Sequence, residues 1–262
     1  MQTLRSFDPY FSVIIPTYNS SNYILNTLNS VLGQTYNNYE IIISDDGSTD
    51  NTVDIIKNII KKNHNNKIKL IMNKHHGPGY SRNRGIKKSK GLWIAFLDSD
   101  DIWEIDKLES VKKMINNKNV NIICHAVKCY TGNINYKFVP SKHYLNMHPF
   151  ISLYRVNPLV TSAICVNKEF LLKTTLFDEK LLSAQDYDLW LKLSMEDQFK
   201  LGFIDNPLGN YITREGNISS NFDERLKCLL IIGKRYMPYL KKISKLYFIE
   251  YLKYKSKAYI DI

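Results

Sequence analysis

The chain has little of what marks several broad protein classes. No apolar run approaches the roughly 18 residues that a membrane-spanning helix needs. Cysteine is sparse: Cys124, Cys129, Cys165 and Cys228 are scattered through 262 residues with no C-x-x-C pair. That scatter argues for reduced, buried thiols rather than disulfides or a zinc site. Met1 to Pro9 is short and polar, so no secretory signal is expected there. The glycines number only 11, and they form neither a Gly-x-Gly-x-x-Gly after the first strand-like run nor a Gly-x-x-x-x-Gly-Lys-Ser/Thr. A dinucleotide dehydrogenase and a P-loop NTPase are therefore unsupported.

Acidic residues are also in the minority, 25 against 36 Lys and Arg, for a formal charge of +11. The excess is uneven. From Arg225 to the end there are ten Lys/Arg against Glu250 and Asp261, which places +8 of the +11 in that segment. A basic tail suits a polyanion, either membrane headgroups or nucleic acid, and equally a plain solvated surface.

The few acids present are concentrated. Trp93-Ile94-Ala95-Phe96-Leu97 runs straight into Asp98-Ser99-Asp100-Asp101. A short apolar run without alternation suits a buried central strand. Its carboxylates then spill at the end of the strand, where ligands bind in open α/β sheets. Carboxylates this close repel one another unless neutralised, and a hard divalent cation that shares its sites with phosphate oxygens does this well. The bland alternative is a solvated turn in which Asp98 or Ser99 caps the next helix.

The rest of the first half has the same grammar. Phe11–Ile15, Glu40–Ser44, Lys67–Ile71, Trp93–Leu97 and Val120–Ala126 read as strands. Between them, Ile24 to Leu32, Val53 to Ile60, Tyr80 to Lys90 and Lys107 to Ile115 read as helices. Pro16 is expected to close the first strand and Gly33 the first helix. Alternating strands and helices predict βαβ units and a parallel, doubly wound sheet. Asp45/Asp46 and Asp98/Asp100 both follow strands, so they should meet on one sheet edge. A phosphoacceptor receiver domain also has acids at strand ends, but needs neither the long second half nor the arginine-rich third loop.

Residues 127–182 are less regular and suit a binding loop or lid. Val160–Val166 reads as a strand and Glu169–Leu172 as a short helix. Ser183–Leu193 follows as a helix with Asp186 and Asp188 in its first turn, where the dipole favours carboxylates. Leu208–Ile212 reads as a late strand after Pro207. Pro238 is expected as the first residue of a terminal helix striped by Leu240, Ile243, Tyr247, Tyr251 and Tyr254. That helix suits either docking on the core or lying on an anionic membrane surface.

Taken together these stretches resemble the inverting glycosyltransferases of family 2, which have the GT-A fold. The resemblance rests on VIIPTYN (Val13–Asn19), SVLGQTY (Ser30–Tyr36), EIIISDDGSTDNT (Glu40–Thr52), GPGYSRNRGIKKSKG (Gly77–Gly91), WIAFLDSDD (Trp93–Asp101) and AQDYDLWLKL (Ala184–Leu193). It implies an α/β fold of GT-A type: a doubly wound, mostly parallel sheet with helices on both faces. That domain would span residues 1–222, with a donor half at about 10–126 and an acceptor half at about 127–222. A basic amphipathic helical segment would occupy 223–262.

The implied activity is transfer of a sugar from a nucleotide diphosphate, with uridine the expected base, to a hydroxyl of a saccharide or lipid-linked saccharide. The product would be a surface polysaccharide or glycolipid made at the inner face of the plasma membrane. The implied donor contacts are Pro16, Thr17, Tyr18, Asn19, Asp46, Arg82, Asp98, Ser99 and Asp100. Asp100 and Asp98 would hold Mn2+ or Mg2+. Asp186 matches the general base. Gln185, Trp190 and Arg214 are the acceptor-side candidates. Gln185 stands where the family usually has Glu, and Glu215 also departs from the usual pattern. No nucleic-acid partner is expected. A sugar-1-phosphate nucleotidyltransferase lacks support without a glycine-rich loop after the first strand. A decayed nucleotide-sugar-binding protein would more naturally have lost Asp186.

Overall fold

The computed structural model describes residues 9–62, 67–131, 134–138, 148–213 and 221–243. The first half builds β1 (Phe11–Thr17), α1 (Ile24–Leu32), β2 (Tyr39–Asp45), α2 (Thr52–Lys62), β3 (Ile68–Met72), α3 (Pro78–Lys88) and β4 (Trp93–Phe96). The second half adds β5 (Ile102–Trp103), α4 (Lys107–Asn117), β6 (Ile122–Thr131), β7 (Ile134–Phe138) and α5 (Pro149–Arg155). It ends with β8 (Ile164–Asn167), α6 (Lys168–Leu171), α7 (Gln185–Ser194), β9 (Leu201–Thr213) and α8 (Phe222–Ile243).

All these strands join one sheet in the order β3-β2-β1-β4-β8-β6-β9-β5, with β7 paired to β6. The first four strands are mutually parallel. β8 is antiparallel to both β4 and β6, so it reverses the sheet between the two halves. β1 and β2 are buried along their whole length, which is why neither alternates in sequence. Their side chains divide by parity. Ile14 and Ile42 join a core with Ile86 of α3, Phe150 of α5 and Leu189 of α7. Val13, Ile15 and Ile41 join a second core with Leu28 of α1, Ile56 of α2 and Leu108 of α4. Helices therefore cover both faces, and the βαβ reading of the first half holds.

Gly91 lets the chain enter β4. A Cβ at that position would lie 2.6 Å from the Ser12 backbone nitrogen, so only glycine fits this close pass over β1. Pro16 does not end β1. It pairs with Ser44 of β2, beyond the point where β4 stops pairing at Ile14, so its missing N–H costs the ladder little.

Three sequence expectations need correction in the second half. Thr161–Ala163 is a short 3₁₀ turn rather than the start of a strand, and β8 begins at Ile164. Val160 and Thr161 favour strands locally, but tertiary contacts to the site override that preference. Pro207 lies inside β9, at a register shift opposite Ala126 where no ladder donor is required. α8 begins at Phe222, so Pro238 is internal to the helix rather than its first residue. Pro238 and Lys234, whose carbonyl loses its helical donor, are both exposed, which is where such a break is tolerated. β5 was not foreseen at all. Two residues of Ile102–Trp103 pair with Gly209 and Asn210 of β9, which is too short a stretch for any period to show.

α8 docks on the core through Cys228, Ile232, Tyr236 and Leu240, with Ile243 packed at its edge. The three tyrosines of the expected stripe lie outside the described residues. All four cysteines are free and buried. Among the described residues no helix is long and apolar enough to cross a membrane.

Candidate active site

A cavity of about 870 Å³ opens at the carboxyl ends of β1, β2 and β4. It gathers Pro16, Thr17, Tyr18, Asn19, Asp46, Arg82, Asp98, Ser99 and Asp100 with Gln185 and Asp186. These come from five separate stretches of the chain, so the strand-end argument brought the two acid clusters together correctly.

At each strand end the acids divide their labour. Asp45 turns back into its own loop and accepts hydrogen bonds from the backbone N–H of Gly47 and Ser48 and from the Ser48 hydroxyl. Asp46 faces the cavity, but both its oxygens are engaged. Oδ1 accepts from His76 N–H at 3.0 Å and Ser81 Oγ at 3.0 Å; Oδ2 accepts from Gly77 N–H at 2.8 Å and lies 2.8 Å from His75 Nδ1. With four partners the carboxylate is filled, and only the exposed His75 can leave without breaking the loop. The His75 ring also stacks on Tyr18 with centroids 4.2 Å apart. Sequence reasoning missed His75, since nothing about a His-His pair in a polar loop signals this contact.

The second acidic loop is similar. Asp98 takes the Arg82 guanidinium at 2.5 Å. Arg82 is buried, and its Nε has no partner among the described residues; neither has the buried Thr17 Oγ1. Two unmatched polar atoms in one cavity invite a polar ligand. Asp101 turns away and is buried, accepting from Ser162 Oγ at 2.5 Å and from Ile212 N–H at 3.3 Å. Burial, reinforced by the Asp98 and Asp100 charges, raises its carboxyl well above the usual range, whereas the Ser162 and Ile212 bonds oppose that rise. Thr27 Oγ1 donates to the carbonyls of Ser99 and Asp101 and clamps the loop from α1.

Asn19 lines the cavity with φ of 45°, a left-handed conformation that asparagine tolerates. Its amide oxygen accepts from Thr49 N–H at 2.8 Å, which ties the first loop to the second.

Asp186 sits in the first turn of α7. Thr161 Oγ1 donates to its Oδ2 at 2.9 Å, and the Tyr187 N–H approaches its Oδ1 at 2.8 Å. Ala184, just before the helix, has φ of 56°, a left-handed strain for a residue with a side chain. The 3₁₀ turn therefore serves both sides of the cavity. Thr161 holds Asp186, and Ser162 holds Asp101 and accepts from the Asp98 N–H. Sequence gave no signal for this turn beyond its hydroxyls.

One acceptor-side expectation does not fall in the cavity. Trp190 is fully buried between Phe96 and Phe177, with ring centroids 6.2 and 6.5 Å away. It is a core residue, because its position on α7 points into the sheet. Arg214 lies outside the described residues. Gln185 lines the cavity, although it is mostly buried and its amide donates to the Leu182 carbonyl at 3.3 Å.

The sequence profile of the family described as Glycosyl transferase family 2 matches residues 12–179. The chain belongs to glycosyl transferase family 2. Among its relatives, an uncharacterized glycosyltransferase of Rickettsia felis is 33% identical over 242 residues, covering 90% of this chain and 39% of the relative. One from Haemophilus influenzae is 30% identical over 233 residues, covering 86% of this chain and 76% of the relative. The chain thus spans well under half of the Rickettsia protein. Staphylococcus aureus TarS 1–349 in complex with UDP-GlcNAc superposes with a TM-score of 0.70 at 25% identity, over 87% of this chain and 66% of that one. The mannosyltransferase PcManGT from Pyrobaculum calidifontis, solved with GDP-Man and Mn2+, shares the fold with a TM-score of 0.68 at 17% identity, over 89% of this chain and 65% of that one. The fold of this family 2 member is therefore the GT-A type.

Proposed function

We propose that this chain transfers a sugar from a nucleotide diphosphate donor, with uridine the expected base, to a hydroxyl of a saccharide or lipid-linked saccharide, with inversion. The observation that carries the reading is the meeting, in one cavity, of the Arg82–Asp98 pair and Asp100 with a carboxylate, Asp186, delivered from the other half of the sheet. The TarS complex with UDP-GlcNAc, a related protein at 25% identity, supports a nucleotide-sugar donor.

On this reading the nucleobase stacks on Tyr18 and takes the Asp46 oxygen that His75 now contacts. Arg82 and Thr17 Oγ1 carry unmatched polar atoms suited to donor oxygens. The donor set also fits a hard cation. Among the described residues no group of three or more His, Cys, Asp or Glu side chains stands ready for a metal. Two carboxylates, Asp100 and Asp98, offer only oxygen, and Mg2+ or Mn2+ is commonly held by one or two carboxylates plus substrate phosphates. Such an ion, when bound, would neutralise charge on the departing diphosphate. Arg82 does the same from the protein side.

Asp186 is the proposed base. Each of its oxygens has one close hydrogen-bond donor, which leaves acceptor capacity for the proton of an incoming hydroxyl. As that hydroxyl attacks the anomeric carbon opposite the diphosphate, Asp186 takes its proton and one displacement inverts the centre.

The proposed place of work is the inner face of the plasma membrane. Lys227, Lys234 and Lys241 recur every seven residues on the outward side of α8 and, with exposed Lys242 and Ile231, support contact with anionic headgroups.

The deciding experiment is a thermal-shift screen of nucleotide diphosphates and nucleotide sugars with and without Mn2+. A rise in Tm with one nucleotide, larger with metal, supports the donor site and names the base. Folded protein that responds to none of them would overturn the reading.

A further inference from the structure

The family match ends at residue 179, yet the proposed base lies beyond it on α7, and α7 is gripped from a helix farther still. We propose that Arg235 of α8 is the positioning residue that sets Asp186 against the donor side of the cavity. This rests on the reading of Asp186 as the base.

Arg235 reaches two carboxylates at once. Its Nη1 donates to Asp188 Oδ1 at 2.5 Å and its Nη2 to Asp178 Oδ2 at 2.7 Å. Asp188 lies two residues from Asp186 in the first turn of α7 and is fully buried. Its Oδ1 also accepts from the Tyr236 hydroxyl at 2.9 Å, and its Oδ2 meets Lys192 at 2.7 Å. A buried carboxylate so enclosed cannot move without its partners, so the start of α7 is locked to α8.

The other arm leads to the donor side. Asp178 belongs to the segment Phe177-Asp178-Glu179, which packs on α3. Asn83 donates to the Phe177 carbonyl at 2.9 Å and to Glu179 Oε1 at 2.8 Å, and Phe177 N–H returns a bond to Asn83 Oδ1 at 3.1 Å. Asn83 follows Arg82, whose guanidinium sits 5.4 Å from the Phe177 ring centroid. Gly79, at the start of α3, passes so near Asp178 that a Cβ there would lie 3.3 Å from its carbonyl oxygen. One guanidinium therefore spans the helix that bears the base and the segment that braces the arginine paired with Asp98. Burial opposes the Arg235 charge, but the Asp178 and Asp188 carboxylates more than offset it and raise its pKa further. It stays a cation at every pH of interest, so the arginine side of the link does not titrate away. Arginine suits this span because its planar fork serves two acceptors, where the single ammonium of a lysine cannot keep the same geometry.

The test uses the full chain. Arg235→Gln should lower transfer turnover by about tenfold to a hundredfold at saturating donor and acceptor, as expected when a reacting group is displaced by an ångström. Affinity for the nucleotide diphosphate alone should stay within about threefold of wild type, because Asn83 keeps its own bonds to Phe177 and Glu179 and so holds the segment beside Arg82 when Arg235 is lost. Arg235→Lys should recover only part of the loss. Removing Arg235 strands a buried charge, so Arg235→Gln combined with Asp188→Asn provides a foldable companion whose turnover should also stay low. Turnover near wild type in either folded variant would overturn the proposal, as would nucleotide affinity falling in step with turnover. Asp186→Asn, measured alongside, separates the two readings. If it still transfers sugar, the base assignment fails. If it is dead while Arg235→Gln is fully active, only the role of Arg235 fails.

Discussion

The two sides of the cavity are built in different ways. The proposed donor side, from Pro16 to Asp100, comes from consecutive βαβ units; its residues sit at strand ends or in the next loop, apart from Arg82, which lies on α3. The proposed acceptor side comes from the 3₁₀ turn at Thr161–Ala163, the strained start of α7 and the first turns of α8, which meet only through long-range contacts. Asp46 is saturated by donors from a neighbouring loop, and Asp98 is fixed at one oxygen by the charged Arg82 guanidinium. Asp186 has lighter company, one hydroxyl and one adjacent N–H. A group that must accept a proton needs spare acceptor capacity, whereas groups that cradle a fixed diphosphate gain from being held.

If that division is right, substitutions on the two sides should separate rate from binding. The largest effect belongs to Asp186→Asn. Turnover should fall by about a hundredfold to ten-thousandfold, the usual weight of a general base. Nucleotide affinity, measured by calorimetry, should barely move. Parallel loss of binding would erase the distinction.

Next comes the seam between the halves, where His125 of β6 is buried beside Gly209 of β9. Burial, with a further push from Lys107, depresses its pKa to about 3 from an ordinary 6.5. The folded state resists a proton that the unfolded chain accepts below pH 6.5. Stability is therefore complete above that pH and falls progressively toward pH 3, by an amount on the order of 4 kcal/mol if the shift is fully realised. Denaturant titrations of wild type and His125→Gln across this window should show the acid slope shrinking in the variant. An unchanged slope would mean the seam does not limit acid stability.

Arg82→Met tests the donor side itself. It removes a charge-assisted contact of about 1.5–3 kcal/mol, so nucleotide diphosphate affinity should weaken by roughly tenfold to a hundredfold. Its effect on turnover at saturating donor should be smaller than that of Asp186→Asn. The mildest change is His75→Ala. On the proposed reading the base must displace this ring from Tyr18 and Asp46, so removing it should tighten nucleotide binding by a few-fold, about 1 kcal/mol. Weaker binding instead would show that His75 contacts the nucleotide directly.

How much of this was legible beforehand follows the same division. The strand-end acids at Asp46, Asp98 and Asp100 were readable because a parallel sheet sends every strand end to one edge. The core role of Trp190 was not, since a helical stripe shows that one face is apolar without saying whether its tryptophan ends in the core or the site. α8 was misplaced because Pro238 looks like a helix start, and only the packing of Cys228 and Ile232 shows that the helix began earlier. Thr161 and Ser162 were read as strand because local preference was all that could be weighed there.

What the sequence determined by itself is the βαβ order, the shared edge and the set of acids delivered to it, because each depends on periods and punctuation within a few residues. The family resemblance already named Asp46, Asp98 and Asp100; only the tertiary structure decided what their neighbours do, turning Asp45 into its own loop and burying Asp101 against Ser162 and Ile212. It also decided that Thr161 would reach Asp186 and that Arg235 would reach Asp188 across 47 positions of chain. Those choices depend on which hydrogen-bond partners arrive from distant elements, and no local pattern encodes such arrivals.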